Sequence, residues 1–337
     1  MDHLVAERDG RDVGRIAAIR NRRSEEFRKD RTGWFGWFEC EDDAGTAAAL
    51  MDAARERLAA RGCDALLGPA SYSTNEICGL LVDGFDGPPA LQMAYNPPWY
   101  ERLLLGAGLE PAEDLLAWWI DARDPSRFDR PGRVIERAKA RHGWTIRPLD
   151  ERRFDAELEI LRGVYNRAWE ANWGFVPMTE EEFAFSAADL RRIVIPDMVL
   201  VAEREGAAVG FALSVPDWNR VLRHLGGRLL PFGWIKALWL SRRIDVARTM
   251  TLGVVPEERG RGIEAGLWLD VIRRAAKHGI REGECSWTLE RNTAINRVME
   301  SMGARPYRRY RLFRGPVRPA SGNPTPAAAE ASQISTG

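Results

Sequence analysis

Histidine and cysteine are both scarce, with four of each in 337 residues. Cys40, Cys63, Cys78 and Cys285 stand far apart, without a C-x-x-C pair. No Cys/His spacing fits a zinc site, so no metal is expected. Scattered single thiols suit a reducing compartment, and we expect a cytoplasmic protein whose cysteines act as small buried hydrophobes. An excess of one charge is also missing, since 49 basic residues balance 49 acidic ones. Without a basic stripe, no nucleic-acid partner is expected. Long apolar runs are missing too. The most apolar stretch, LLPFGWIKALWL at residues 229–240, is broken by Pro231, Gly233 and Lys236. It is too short to cross a bilayer, so stable membrane insertion is not expected. The opening residues MDHLVAER carry no basic, apolar leader pattern.

What is present is the composition of a globular protein, 45% hydrophobic and 29% charged, at a length that suggests two domains and a tail. An internal repeat supports the division. Residues 4–14 read LVAERDGRDVG and residues 200–210 read LVAEREGAAVG, with eight of eleven positions identical. Each reads as a β-hairpin turning at Asp9-Gly10 or Glu205-Gly206. The elements after the two hairpins also match. The first half continues with an aromatic strand at 34–41, a helix at 47–60, a short strand at 64–68, a helix at 96–108 and a closing strand at 115–120. The second half continues with a strand at 250–255, a helix at 266–278, a strand at 283–289, a helix at 292–302 and a closing strand at 308–313. Such alternation predicts an α/β fold on a mixed sheet, in two tandem lobes.

The second half has extra elements before its hairpin: a strand at 144–149 and helices at 154–169 and 179–192, the last opened by a Thr179/Glu182 capping box. The first half has no counterpart to them. A domain opening at its second strand exposes a sheet edge, which we take as a sign of a start codon set too late. The expected division is a degenerate first lobe over 1–122, a polar linker over 123–143, a second lobe over 144–314 and a disordered Pro/Ala/Ser-rich tail over 315–337.

The sharpest motif is PEERGRGI at residues 256–263, between an apolar strand and a helix. Gly260 and Gly262 allow close backbone approach, and the helix N-terminus behind them favours anions. A pyrophosphate is the natural guest. Here the sequence resembles the GNAT superfamily, whose coenzyme A loop reads Gln/Arg-x-x-Gly-x-Gly/Ala after an aliphatic strand. Arg259 and Gly262 fit, while Glu264 stands where Gly or Ala is expected. NTAINRVMESMG at residues 292–303 resembles the family's late helix, with Asn292 opening it and Gly303 closing it.

The resemblance implies an N-acetyltransferase with acetyl-CoA as cosubstrate and direct attack of an amine on the thioester. Arg259, Gly260, Arg261, Gly262 and Ile263 would hold the pyrophosphate. Val254 and Val255 would offer strand backbone to the pantetheine, and Asn292 would assist. The acceptor would be a small-molecule or peptide amine. Where the family often places a Tyr acid, this chain has Met299, so Tyr307 and Tyr310 downstream become candidates. Glu290 is a candidate base, ahead of Glu203.

In the first half, Glu41, Asp42 and Asp43 fill the place of the phosphate loop and would repel a pyrophosphate. Its insert at 68–98 carries Ser71, Ser73 and Asn75 among aromatics and either lines a pocket facing the other lobe or is a structural loop. The segment Trp234 to Arg243 reads as interfacial helix, lid or inter-lobe packing. The whole chain resembles a tandem-GNAT bacterial family. A non-catalytic tandem protein is the alternative, motivated by Met299 and Glu264. A Fem-type aminoacyl transferase is a third reading, opposed by the absent basic surplus.

Overall fold

The computed structural model describes residues 1–318 and 333–336. The first half begins with β1 (Asp2–Arg8) and β2 (Arg11–Ile19), then α1 (Arg22–Arg28), β3 (Thr32–Cys40), α2 (Ala44–Ala60), β4 (Ala65–Gly68), β5 (Leu80–Asp83), α3 (Tyr100–Gly106) and β6 (Glu110–Asp121). The second continues with α4 (Asp129–His142), β7 (Trp144–Pro148), α5 (Phe154–Trp169), α6 (Glu180–Leu190), β8 (Val199–Arg204), β9 (Ala207–Pro216), α7 (Asn219–Leu222), α8 (Gly233–Ser241), β10 (Val246–Val254), α9 (Ile263–Lys277), β11 (Glu282–Leu289), α10 (Thr293–Ser301) and β12 (Arg305–Pro316). A last strand, β13 (Gln333–Thr336), pairs antiparallel with β1.

Local chemistry explains most of these elements. In α2 the buried side chains Ala47, Leu50, Met51, Ala54 and Leu58 recur at helical spacing, and Asp43 caps the helix by accepting from the Thr46 amide at 2.7 Å. The expected Thr179/Glu182 capping box opens α6. The repeated hairpins are the same object. Both turn through left-handed residues, Asp9-Gly10 and Glu205-Gly206. Both carry a bulge one residue before the charged pair, between Ala6 and Glu7 and between Ala202 and Glu203. Gly14 and Gly210 occupy matched positions for a shared reason. A Cβ on Gly14 would lie 2.8 Å from Leu50 of α2, and one on Gly210 would lie 2.9 Å from Val254 and 3.5 Å from Leu267 of α9.

All the strands join one mixed sheet in the order β13-β1-β2-β3-β4-β12-β6-β11-β10-β9-β8-β7, with β5 paired to β12. The middle of that order departs from the sequence expectation. The strand expected to close the first sheet, β6, pairs antiparallel with β11 of the second half. The strand expected to close the second, β12, pairs with β4 of the first. The two halves exchange their last strands, and β6 and β12 pair with each other at the seam. Asp114 on β6 bonds Arg309 at 2.7 Å and Arg311 at 2.6 and 2.8 Å across it.

Two further segments differ from expectation. Most of the stretch read as linker is α4, which lays Gly132 and Ile135 against the protein and runs beside α9. Its prolines fall in the preceding turn and the first helical turn, where a missing N–H costs nothing. Of the stretch read as a disordered tail, residues 315–316 belong to β12, Val317 is buried, and 333–336 form β13. The remainder, 319–332 and 337, lies outside the described residues.

Candidate active site between splayed strands

Strands β10 and β11 run parallel and pair only from Val246 to Thr249 against Glu282 to Cys285. A bulge at Met250 then shifts β10, and a second irregularity bends β11 between Cys285 and Thr288. Past that point the strands no longer pair, so alternate main-chain groups of β10 face an open cleft. The matching strands of the first half stay shut. There β3 and β4 pair from Thr32 to Trp34, the Ala70 amide bonds Phe35 O at 2.8 Å, and a Cβ on Gly36 would meet Ala70 O at 2.2 Å.

A cavity of about 300 Å³ fills the cleft, lined by Arg248 to Leu252 of β10, Cys285 to Thr288 of β11, and Trp268, Ile295 and Met299 from the helices. A second cavity of about 290 Å³ adjoins it, walled by apolar side chains of α5, α6 and β9, among them Phe154, Leu161, Phe183 and Phe211. The two share Met250, Thr251, Tyr165, Asn75, Glu76 and Gln92. The insert of the first half therefore lines this site, as one of its two readings expected. Asn75 donates to Val176 O at 2.7 Å and accepts from Tyr165 at 3.0 Å, and Thr74 donates to Gly174 O at 2.8 Å. Of the polar residues singled out in this insert, only Asn75 lines the cavities.

At the far end of β10, residues 256–258 make one tight turn and α9 starts after Gly262. Gly260 and Gly262 both adopt positive φ, 77° and 80°, and nothing stands within 4 Å of a Cβ placed on Gly260. Main-chain N–H groups of Gly260, Arg261, Gly262 and Ile263 have no acceptor among the described residues. That is the chemistry of an anion cradle.

The loop's charged side chains serve the loop itself. Arg259 donates to Val254 O at 3.1 Å and also to Ala168 O at 2.5 Å, bracing the bend from beneath. Arg261 pairs with Glu258 at 2.9 Å, and Glu258 with Arg204 at 2.8 Å. The Val255 amide is bonded to Val209 O at 2.9 Å. Thus the backbone groups on Val254 O and Val255 N are taken, while the amides of 260–263 are free. Glu264 is half-buried in the first turn of α9. Burial pushes its carboxyl up, against the pull of its own amide and of Arg259.

The remaining candidates scatter. Asn292 caps α10, its side chain accepting from Ile295 N at 3.4 Å. Glu290 is exposed and pairs with Arg309 at 2.8 Å, and does not line either cavity. Glu203 pairs with Arg147 at 2.8 Å. Tyr307 donates to Glu284 Oε1 at 3.3 Å behind the cleft. Met299 lines the cleft, where the resemblance puts a Tyr. The four cysteines are buried and unpaired, and burial pushes Cys40 to about 11 and Cys78 to about 12, so neither is a ready thiolate.

Four residues that the sequence did not single out complete the site. Glu284 is fully buried, and burial raises its carboxyl from 4.5 to about 7 despite Arg248, Ser286 and Tyr307. Ser286, on the cavity wall, donates to Glu284 at 2.9 Å and accepts from Arg248 at 3.1 Å. The buried indole N–H of Trp268, which lines the cleft, has no partner among the described residues. Glu76 stands at the junction of the two cavities. It keeps contact with solvent, yet partial burial and the nearby Glu182 push its carboxyl up. A polar residue in a glycine-rich loop gave no sequence signal for this role.

Protein YghO of Escherichia coli (strain K12) is 38% identical over 324 residues, which span 93% of this chain and 82% of its own length. The bacterial ceramide synthase of Caulobacter vibrioides (strain NA1000 / CB15N) is 35% identical over 325 residues, 92% of this chain and 82% of its own. Residues 158–304 match the acetyltransferase (GNAT) family. The chain belongs to the GNAT superfamily. Its tandem form is shared with a tandem GNAT protein from the clavulanic acid biosynthesis pathway, which superposes with a TM-score of 0.53 at 14% identity over 94% of this chain and 84% of the other. A GCN5-related N-acetyltransferase from Sphaerobacter thermophilus superposes at 0.54, with 16% identity over 94% and 81%. Membership makes the protein an acyltransferase of a family that uses acyl-CoA. Among the described residues no helix is long and apolar enough to cross a membrane, and no group of His, Cys, Asp and Glu could hold a metal.

Proposed function

We propose that this GNAT protein transfers a long acyl chain from a coenzyme A thioester to an amine. The observation that carries the reading is the meeting of two cavities at the β10 bulge, one polar between splayed strands and one apolar. The free amides at 260–263 would hold the pyrophosphate, and the open edge of β10 would take the pantetheine, ending with the thioester at Met250 and Thr251. From there the apolar cavity continues in the direction an acyl tail needs. The relative named a ceramide synthase supports a lipid product. Acetyl, the smallest donor, would leave that cavity empty.

The amine would enter at the rim formed by Asn75, Glu76 and Gln92. It must lose a proton before attack, and Glu76, with its raised carboxyl, is the acceptor the geometry favours. Nitrogen then attacks the thioester carbon, the carbon–sulfur bond breaks, and the thiolate leaves. Trp268 offers its unpaired N–H inside the cleft. In this reading the first half contributes the base and the second half the donor site.

The test is a donor series from acetyl-CoA to palmitoyl-CoA with a long-chain amine, on the unmodified protein and on Leu161→Trp. We expect long donors to be preferred, and Leu161→Trp to lose them while keeping short ones. Equal use of acetyl-CoA and long donors, unchanged in Leu161→Trp, would sink the assignment of the apolar cavity. Glu76→Gln should lower kcat by about 100-fold with little change in KM for the donor. Coenzyme binding by calorimetry with no turnover of any amine would favour the non-catalytic reading, for which Glu264 and Met299 speak.

A further inference from the structure

We propose that the segment between β9 and β10, carrying α7 and α8, docks the protein on an anionic lipid bilayer. Its outer surface is apolar to a degree that water does not favour. Leu230 is 80% exposed, Phe232 73%, and Leu229, Trp234, Leu238 and Trp239 are half-exposed or more. Exposed apolar side chains scattered singly need no explanation, but seven within eleven residues, counting Ile235, make one patch.

The patch is a built surface. Val221, Ala237 and Ile244 form a small buried core beneath it, with Trp218, Leu225 and Leu240 packed on that core. Its root is tied to the first half, because Asp217 accepts from the Leu91 amide at 2.9 Å and Asn219 donates to Pro89 O at 3.0 Å. Gln92, the next residue of that loop, lines both cavities.

Charge selects the occupant. Between Asp217 and Asp245 the chain has no acidic residue and six basic ones. Arg223, Arg228, Lys236, Arg242 and Arg243 are exposed, and none pairs with a carboxylate among the described residues. Arg243 sits over the Trp239 ring at 3.7 Å, which places a cation and an indole together as at a headgroup boundary. A second copy of this surface would bring like charges together, whereas an anionic bilayer neutralises them and buries the apolar face. The docking is peripheral, and it does not depend on which acyl group the site transfers.

Co-sedimentation of the full chain with vesicles tests this without any assay of activity. Phosphatidylcholine vesicles containing phosphatidylglycerol should carry the protein down at low salt and release it at high salt, while phosphatidylcholine alone should bind far less. The triple reversal Lys236→Glu, Arg242→Glu, Arg243→Glu should weaken partitioning by at least about 100-fold, at about fivefold per charge removed. The triple change Phe232→Ser, Trp234→Ser, Trp239→Ser should also weaken it, with circular dichroism showing that the fold is kept. A protein that stays in the supernatant with both vesicle types overturns the proposal. So does undiminished binding by the two variants, or a dimer that the serine variant dissolves while vesicles bind nothing.

Discussion

A carboxylate in the first turn of α9 competes with a phosphate for the same helix N-terminus. Glu264 holds that place, and its raised carboxyl shows that the surroundings do not fully compensate its charge. Replacing it with Ala should tighten coenzyme A binding by about 1 kcal/mol, or about fivefold, at neutral pH. Calorimetry with coenzyme A measures this, and weaker binding by Glu264→Ala would mean that the side chain supports the loop. Glu284 poses a different question. Its folded carboxyl keeps a proton up to about 7, where an unfolded one releases it near 4.5. The folded state therefore binds the extra proton in that window. The contribution is fully present below 4.5 and is lost as pH rises through 7. Glu284→Gln should remove this dependence and flatten the stability profile between pH of about 4.5 and about 7, read from denaturant melts across pH. These two residues also mark what the sequence discloses at this scale. Gly260 and Gly262 are legible because only a demanding backbone needs two glycines between a strand and a helix. Glu284 is not, because a carboxylate in a short strand looks like a solvent-facing position until the neighbouring strands are known.

Among the elements, hairpins and helices are largely legible, since each declares itself within a dozen residues. Turn residues, caps and apolar spacing are local signals. Pairing partners are not local. An alternating pattern tells which face of a strand is buried but not which strand lies beside it. For that reason the closing strands β6 and β12 each read as belonging to their own half, when each pairs into the other. The long helix α4 is hidden by its charge: its many basic and acidic residues cover the solvent side, and only Gly132 and Ile135 are buried. Packing of one element on another can be probed at the site itself. Gly253 sits in β10 beneath Trp169, and a Cβ there would lie 2.2 Å from the indole. That ring is stacked on Tyr165 at 4.8 Å, so it has little freedom to withdraw. Gly253→Ala should destabilise the protein by about 1–3 kcal/mol and distort the cleft wall. A stability within about 0.5 kcal/mol of the parent would show that Trp169 is mobile, and would remove it from the fixed walls of the cavity.

The exchange of strands changes what a lobe means in this molecule. Each half is shut on its central side by a strand belonging to the other. Removing either half would strip β4 or β11 of its neighbour and expose a buried edge. The seam is held by main-chain pairing and by Asp114. Burial pushes the Asp114 carboxyl up, but Arg311 and Arg309 outweigh it and hold the group below its ordinary range. Glu76 reaches the cavities from one half and the free amides of 260–263 lie in the other, so loosening the seam would separate the proposed base from the proposed donor site. Native-state hydrogen exchange can decide whether the halves are thermodynamically one unit. The slowest amides of β4 and β11 should open with the same free energy and respond equally to denaturant. A gap of more than about 2 kcal/mol between them would mean that the halves unfold separately despite their shared strands, and a site assembled from both halves would then lose its structural basis.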